Sequence, residues 1–231
     1  MKKLLALFFS TILIFTTSSP IFASEKTNYD EALEKIEETN LKIDEEIAKA
    51  VEKSDELQAK YLLELRELEE GEEVVELKIE KEEVTAEYVS TKDQQKKEKL
   101  KEKLAKIDEK LKKEEDKIDK KIEELNTELN ELTTQLMAEA DEEDKKKIIE
   151  KIEKIEEKFN KKYEKSKELT EKYTEELDKI ISDVFNKTLE MSAKTIEEAA
   201  ELGVIAECSW KLVRFADREA WIDPLRVIGI K

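Results

Sequence analysis

The sequence predicts a mainly α protein: long charged coiled-coil helices, in an antiparallel hairpin or three-helix coil, with a small C-terminal β-hairpin module. Three observations predict it. No proline lies between Pro20 and Pro224, and the only glycine between Ala23 and Leu202 is Gly71. The intervening chain is Glu, Lys, Asp, Leu and Ile, with apolar residues recurring at spacings of three and four, which makes a helix burying a narrow stripe against other helices. After Thr188 the composition changes, and both tryptophans, Trp210 and Trp221, fall in this last segment.

The first element is not expected in the mature fold. Lys2 and Lys3 precede a nearly unbroken apolar run, Leu4 to Phe15, and Ile21-Phe22-Ala23 offers small and aliphatic residues at a cleavage site. Residues 1–23 therefore read as a secretory signal peptide cut after Ala23. The apolar run is short for a membrane anchor, and no later segment is apolar enough to span. The expected location is secreted or associated with the cell envelope.

Net charge bounds the partners. The chain carries 60 acidic against 43 basic residues, net −17, and loss of Lys2 and Lys3 makes it more acidic still. Such a charge argues against binding nucleic acid or an anionic membrane by attraction. Cys208 is the only cysteine, so no internal disulfide framework is possible. It is expected as a small buried residue of a strand, with an intermolecular disulfide as the other reading. There is no histidine, which removes the usual neutral-pH acid/base and the commonest metal ligand.

The coil, 24–192, divides into helices of about 28–70, 73–140 with a break near 90–94, and 142–192. Asn28 to Glu31 has capping-box spacing. Tyr29, Leu33, Ile36, Asn40, Ile43, Ile47, Ala50, Ser54, Leu57 and Tyr61 then form a heptad seam, in which Asn40 is expected to fix register. Glu69 to Glu73 surround Gly71, which suits a turn or a weak point in a continuous helix. Thr91 with Gln94 suggests a restart. A second seam runs from Leu100 through Ile107, Leu111, Ile118 and Leu125 to Leu136. Asp141, followed by Lys145 to Lys147, suits the start of the last helix. A calcium loop there lacks the glycine and alternating ligands it needs. The last seam runs from Ile148 through Ile155, Phe159, Leu169, Tyr173 and Leu177 to Val184. Charge favours folding back: residues 24–88 are net −14, whereas 92–121 and 145–167 are net +4 and +5. Homo-oligomerisation through the coil remains compatible with this pattern.

In the tail, 193–231, a short helix is expected to end at Gly203. Two β-rich runs, 205–215 and 220–230, then read as a hairpin, with a bend at Pro224. A two-residue loop at Asp217-Arg218 would pair Arg214 with Trp221, Leu212 with Asp223 and Trp210 with Leu225, placing Arg214 over Trp221 as a cation–π pair. Trp210, Arg214, Trp221 and Arg226 are the candidate partner-binding residues, since aromatic and Arg side chains commonly anchor interfaces. A fold this small needs large residues inside, so the two indoles are first expected as its miniature core. The run from Glu207-Cys208-Ser209-Trp210 through Arg214-Phe215 to Trp221-Ile222-Asp223-Pro224-Leu225-Arg226-Val227 resembles the ends of small uncharacterised secreted proteins of Gram-positive bacteria. That resemblance covers about residues 193–231 and implies no particular chemistry.

No catalytic machinery is expected. A nucleophilic triad needs histidine or a substitute, a phosphate loop needs glycines, and paired-acid catalysis needs a cleft that raises one pKa. Asp223, beside Trp221, is the one acid worth testing. No cofactor or metal site is expected. The sequence thus points to a secreted structural or interaction protein whose coil spaces and presents an aromatic β module to a protein or cell-wall component. The alternative is a non-catalytic regulator of cell-wall hydrolases.

Overall fold

The computed structural model describes residues 27–230, so the signal-peptide expectation lies outside the described residues. Four helices come first: α1 (Asn28–Glu70), α2 (Glu72–Ser90), α3 (Gln94–Ala138) and α4 (Glu142–Glu201). Four short strands follow: β1 (Val204–Cys208), β2 (Lys211–Phe215), β3 (Arg218–Ile222) and β4 (Leu225–Ile230). None of the described helices is long and apolar enough to cross a membrane.

Local chemistry sets the helix ends. Thr27, not Asn28, caps α1, its hydroxyl accepting from the Asp30 amide while Asp30 reaches back to the Thr27 amide. The restart after α2 is capped by Asp93 rather than Thr91: the Asp carboxylate takes both the Gln95 and Lys96 amides. Asp141 caps α4 as expected, accepting from Glu143 and Asp144. Each such cap satisfies amides that have no partner within the helix.

Three antiparallel helix pairs meet near Gly71. In the first, α1 runs against the C-terminal half of α4: Lys35 meets Glu198, Glu46 meets Lys187, and Tyr61 stacks on Tyr173 with ring centroids 4.4 Å apart. In the second, α2 runs against the N-terminal half of α3, and Glu87–Lys96, Glu80–Lys103 and Lys81–Asp108 bridge the two. In the third, the C-terminal half of α3 returns along the N-terminal half of α4 through Glu139–Asp141. Gly71 has φ +98° and ψ 137°, a combination that strains any residue with a Cβ, so the chain breaks here instead of continuing as helix. The seams break at the same level: between Phe159 and Leu169, the seam positions of α4 are Lys162 and Ser166.

The charge argument for folding back holds with different partners. The acidic α2, not α1, takes the basic start of α3. Helix α4 also departs from expectation, being one helix of 60 residues with no interruption near 192. The change of composition there has another cause. Thr188, Ser192, Thr195 and Ala199, one helix stripe, are all buried, and the strands lie on them. Small residues mark where a second layer seats, not where the helix ends.

Two cores hold that layer. Near the open end, Ala32, Ile36 and Ala199 enclose Val204, Ala206 and Leu225. Farther along, Ile43, Ile47, Ala50, Leu177 and Val184 enclose Val213, Phe215, Ala216 and Ile222. Dimensions match. From Leu202 back to Tyr173, α4 covers about 44 Å at roughly 1.5 Å per residue. The strand path from Val204 to Asp217 covers about 43 Å at roughly 3.3 Å per residue. The tip therefore lands on Tyr173, whose hydroxyl donates to Asp217 Oδ1 at 2.6 Å. Arg218 pairs with Asp178 beside it.

Candidate interaction site on the C-terminal ribbon

The four strands form one long hairpin bent in the middle. Its base pairs β1 with β4, and its tip pairs β2 with β3, both antiparallel. The tip loop is Ala216-Asp217, not Asp217-Arg218. Trp221 therefore faces Leu212, and Arg214 faces Glu219. The expected cation–π pair does not form, because the register lies two residues away from the one it needs.

The bend reverses the alternation. In the base, the inward residues are Val204 and Ala206 on one strand and Leu225 on the other; in the tip they are Val213 and Phe215, and Ile222. The inward set thus moves from even to odd numbers between Cys208 and Val213, and from even to odd again between Ile222 and Leu225. A one-residue slip in phase turns every later side chain to the other face. Unbroken alternation from Val204, Ala206 and Cys208 would carry Trp210 inward, and from Leu225 back it would carry Trp221 inward. The phase change puts both outside. The expectation that the indoles form the miniature core is therefore wrong: Trp210 is 63% exposed and Trp221 55%, and Phe215 and Ile222 fill that role.

Helix side chains hold the bend. Asn40 takes the place of a strand neighbour: its Oδ1 accepts from the Leu225 amide at 2.8 Å and its Nδ2 donates to the Leu225 carbonyl at 3.0 Å. So Asn40 serves the β layer rather than helix register. Ser192 Oγ donates to the Asp223 carbonyl at 2.6 Å, and the Ser209 amide donates to the Pro224 carbonyl at 2.5 Å. The strands exchange supports at this point: β1 and β3 lie chiefly on α4, β2 and β4 on α1. Such crossing follows from the strong twist of two-stranded ribbons.

The solvent face of the ribbon is consequently aromatic and aliphatic. Trp210, Leu212 and Trp221 occupy the tip half, and Ile205 and Ile228 the base half, all exposed, whereas Ile230 pairs with the buried Val204 and is exposed only as the strand's end. Arg214 and Arg226 are exposed on the same ribbon; Arg226 donates to Glu207 Oε1 through Nε at 2.7 Å and Nη2 at 2.5 Å. All four sequence-selected residues thus stand on the solvent side. Leu212, Ile205 and Ile228 were missed, although the phase shift visible in the spacing of Cys208, Val213, Ile222 and Leu225 would have found Leu212. A compositional signal agrees: both tryptophans and three of the four arginines follow residue 209.

Two titratable groups lie beneath the bend. Asp223 is 1% exposed and its Oδ1 has no hydrogen-bond partner. Burial pushes its carboxyl above the usual range. Cys208 is half-buried in β1, and burial first, then the nearby Asp223, push its thiol up. No group of three or more His, Cys, Asp or Glu side chains among the described residues is placed to hold a metal ion.

No protein-family model, no curated protein and no solved structure matches this chain. The arrangement of its own residues is what speaks to function.

Proposed function

We propose that the protein is a secreted or envelope-associated interaction protein. Its helix pairs form a long scaffold, and the outer face of the bent ribbon is the surface that meets a protein partner or a cell-wall component. The observation that carries this reading is the exposure of Trp210 and Trp221 on a ribbon whose opposite face packs on α1 and α4. Large aromatic side chains left in water beside Leu212 and Arg214 have a cost that a partner removes, and Trp and Arg are the side chains most often decisive in interfaces.

The test compares the full mature chain with a Trp210→Ala/Trp221→Ala variant in sedimentation with isolated cell-wall sacculi. Two preparations are used, one stripped of protein and one retaining its native proteins. Retention of the parent on either, lost in the variant, supports the reading. Retention on the stripped wall identifies a wall polymer, and retention only on the protein-bearing wall identifies a protein partner. Equal behaviour of parent and variant on both preparations sinks it.

A further inference from the structure

A second site lies at the junction of the three helix pairs, far along α4 from the ribbon. A cleft of about 500 Å³ opens beside Gly71, floored by Ile118, Ile122, Leu125 and Phe159 and edged by Lys121, Lys158 and Lys162. That volume falls within the usual range for small-molecule sites, about 300–1,000 Å³.

Two features distinguish it from an ordinary packing gap. The first is unmet apolar surface. Phe159 is 43% exposed and Ile122 45%, although the other apolar seam residues of α3 and α4 are buried or half-buried. The three-way branch draws the helices apart at this level, and no side chain of the described residues fills the opening. The second is unmet positive charge. In a chain with a large acidic excess, lysines of the other helix pairs such as Lys35, Lys81, Lys96, Lys103 and Lys187 meet a carboxylate on the facing helix. Lys121, Lys158 and Lys162 have none among the described residues, while neighbours such as Lys78, Lys117 and Lys161 do. The one acid at the rim, Glu70, is already engaged by Lys78 at 2.7 Å and Arg66 at 2.9 Å. The cleft therefore presents three uncompensated ammonium groups around an apolar floor.

We propose that this junction cleft binds a single-chain amphiphilic anion, an acyl chain bearing a carboxylate or phosphate head group. The chain lies against Phe159 and Ile122, which takes its methylenes out of water, and the head group meets Lys121, Lys158 and Lys162. An acyl chain suits an aliphatic floor; a small free anion leaves that floor in water, and a neutral amphiphile leaves the lysines unmatched. Because the two sites use different residues, this proposal stands independently of the ribbon.

The test is calorimetric titration of the full mature chain with dodecanoate, dodecyl phosphate, dodecanol and acetate, each below the concentration at which it self-associates. Saturable binding of the two amphiphilic anions at one site, at least roughly tenfold tighter than dodecanol and absent for acetate, is expected. The K121Q/K158Q/K162Q variant is expected to lose roughly tenfold in affinity for the anions and nothing for dodecanol. Phe159→Ala is expected to weaken all chain-bearing ligands. These side chains are exposed, so far-ultraviolet circular dichroism is expected to match the parent. Trp210→Ala/Trp221→Ala is expected to bind normally. Equal affinity for dodecanol and dodecanoate, binding insensitive to the three lysine changes, loss of binding in the tryptophan variant, or no saturable binding overturns the proposal.

Discussion

Single residues beneath and at the tip of the ribbon control how firmly it is held. Asp223 has a folded-state pKa raised by burial. A raised acid pKa means the fold prefers the protonated form. Its stabilisation is full below the unfolded carboxylate value of about 4 and is lost as pH rises through the higher folded value. At pH 7 the sealed charge is therefore a net cost. Asp223→Asn should stabilise the protein at pH 7 by about 1–3 kcal/mol, with the advantage shrinking at pH 4, as read by urea denaturation at both values. Equal midpoints at pH 7 would overturn this account. Tyr173 behaves similarly at the alkaline end. Burial first, and the Asp217 hydrogen bond second, push its hydroxyl up to about 12. Its contribution is full below the unfolded tyrosine value of about 10 and disappears between there and about pH 12. Tyr173→Phe should cost about 1 kcal/mol at pH 9 and become equivalent to the parent near pH 12. A difference unchanged across that window would mean the hydroxyl does not fasten the tip. Neither role was legible from sequence, because both depend on contacts across long sequence separations: Tyr173 read as a seam residue, and Asp223 as an acid beside a tryptophan.

At the scale of elements, local rules carried far and phase did not. The breaks near residues 90–94 and at Asp141 were legible because capping side chains act on their own neighbours, although the caps of α1 and α3 are Thr27 and Asp93 rather than Asn28 and Thr91. The inward residues of α1 were legible because 3.6-residue periodicity ties Ile36, Ile43, Ile47 and Ala50 to one stripe. What failed were inferences that could not see the second layer or the bend. Trp210 and Trp221 were expected inside because a small module needs large core residues, whereas the phase change at the bend turns both outward. A change to small residues at Thr188 and Ser192 was read as the end of a helix, whereas it is the seat of the strands. Gly71 is the element-scale test. Alanine favours a helix interior by about 1 kcal/mol over glycine, so Gly71→Ala would stabilise an unbroken α1–α2 helix. In the branched structure its φ of +98° makes the same change strained, at about 1–3 kcal/mol. The sign decides between the two. We expect destabilisation, with faster amide exchange around residues 66–76 and unchanged exchange in the ribbon.

Among the described residues, the buried side chains fall into separate cores. Val74, Leu77, Val84, Leu100, Ile107 and Leu111 bury one another between α2 and α3. A separate set joins α1, α4 and the ribbon. The two meet only around Gly71, where the cleft leaves them poorly coupled. Clusters that share few contacts open separately, and unfolding followed by different probes then fails to coincide. The tryptophans make this testable, since both sit on the ribbon and report that part alone. Ile107 is buried in the α2–α3 cluster, so Ile107→Ala should remove about 2–5 kcal/mol locally. In thermal unfolding, the helical signal at 222 nm should then split, with an early phase assigned to α2 and the first half of α3. Tryptophan emission should keep the parent's midpoint. If both signals shift together, the helix pairs are one cooperative unit, and the junction transmits packing from the far arm to the aromatic face.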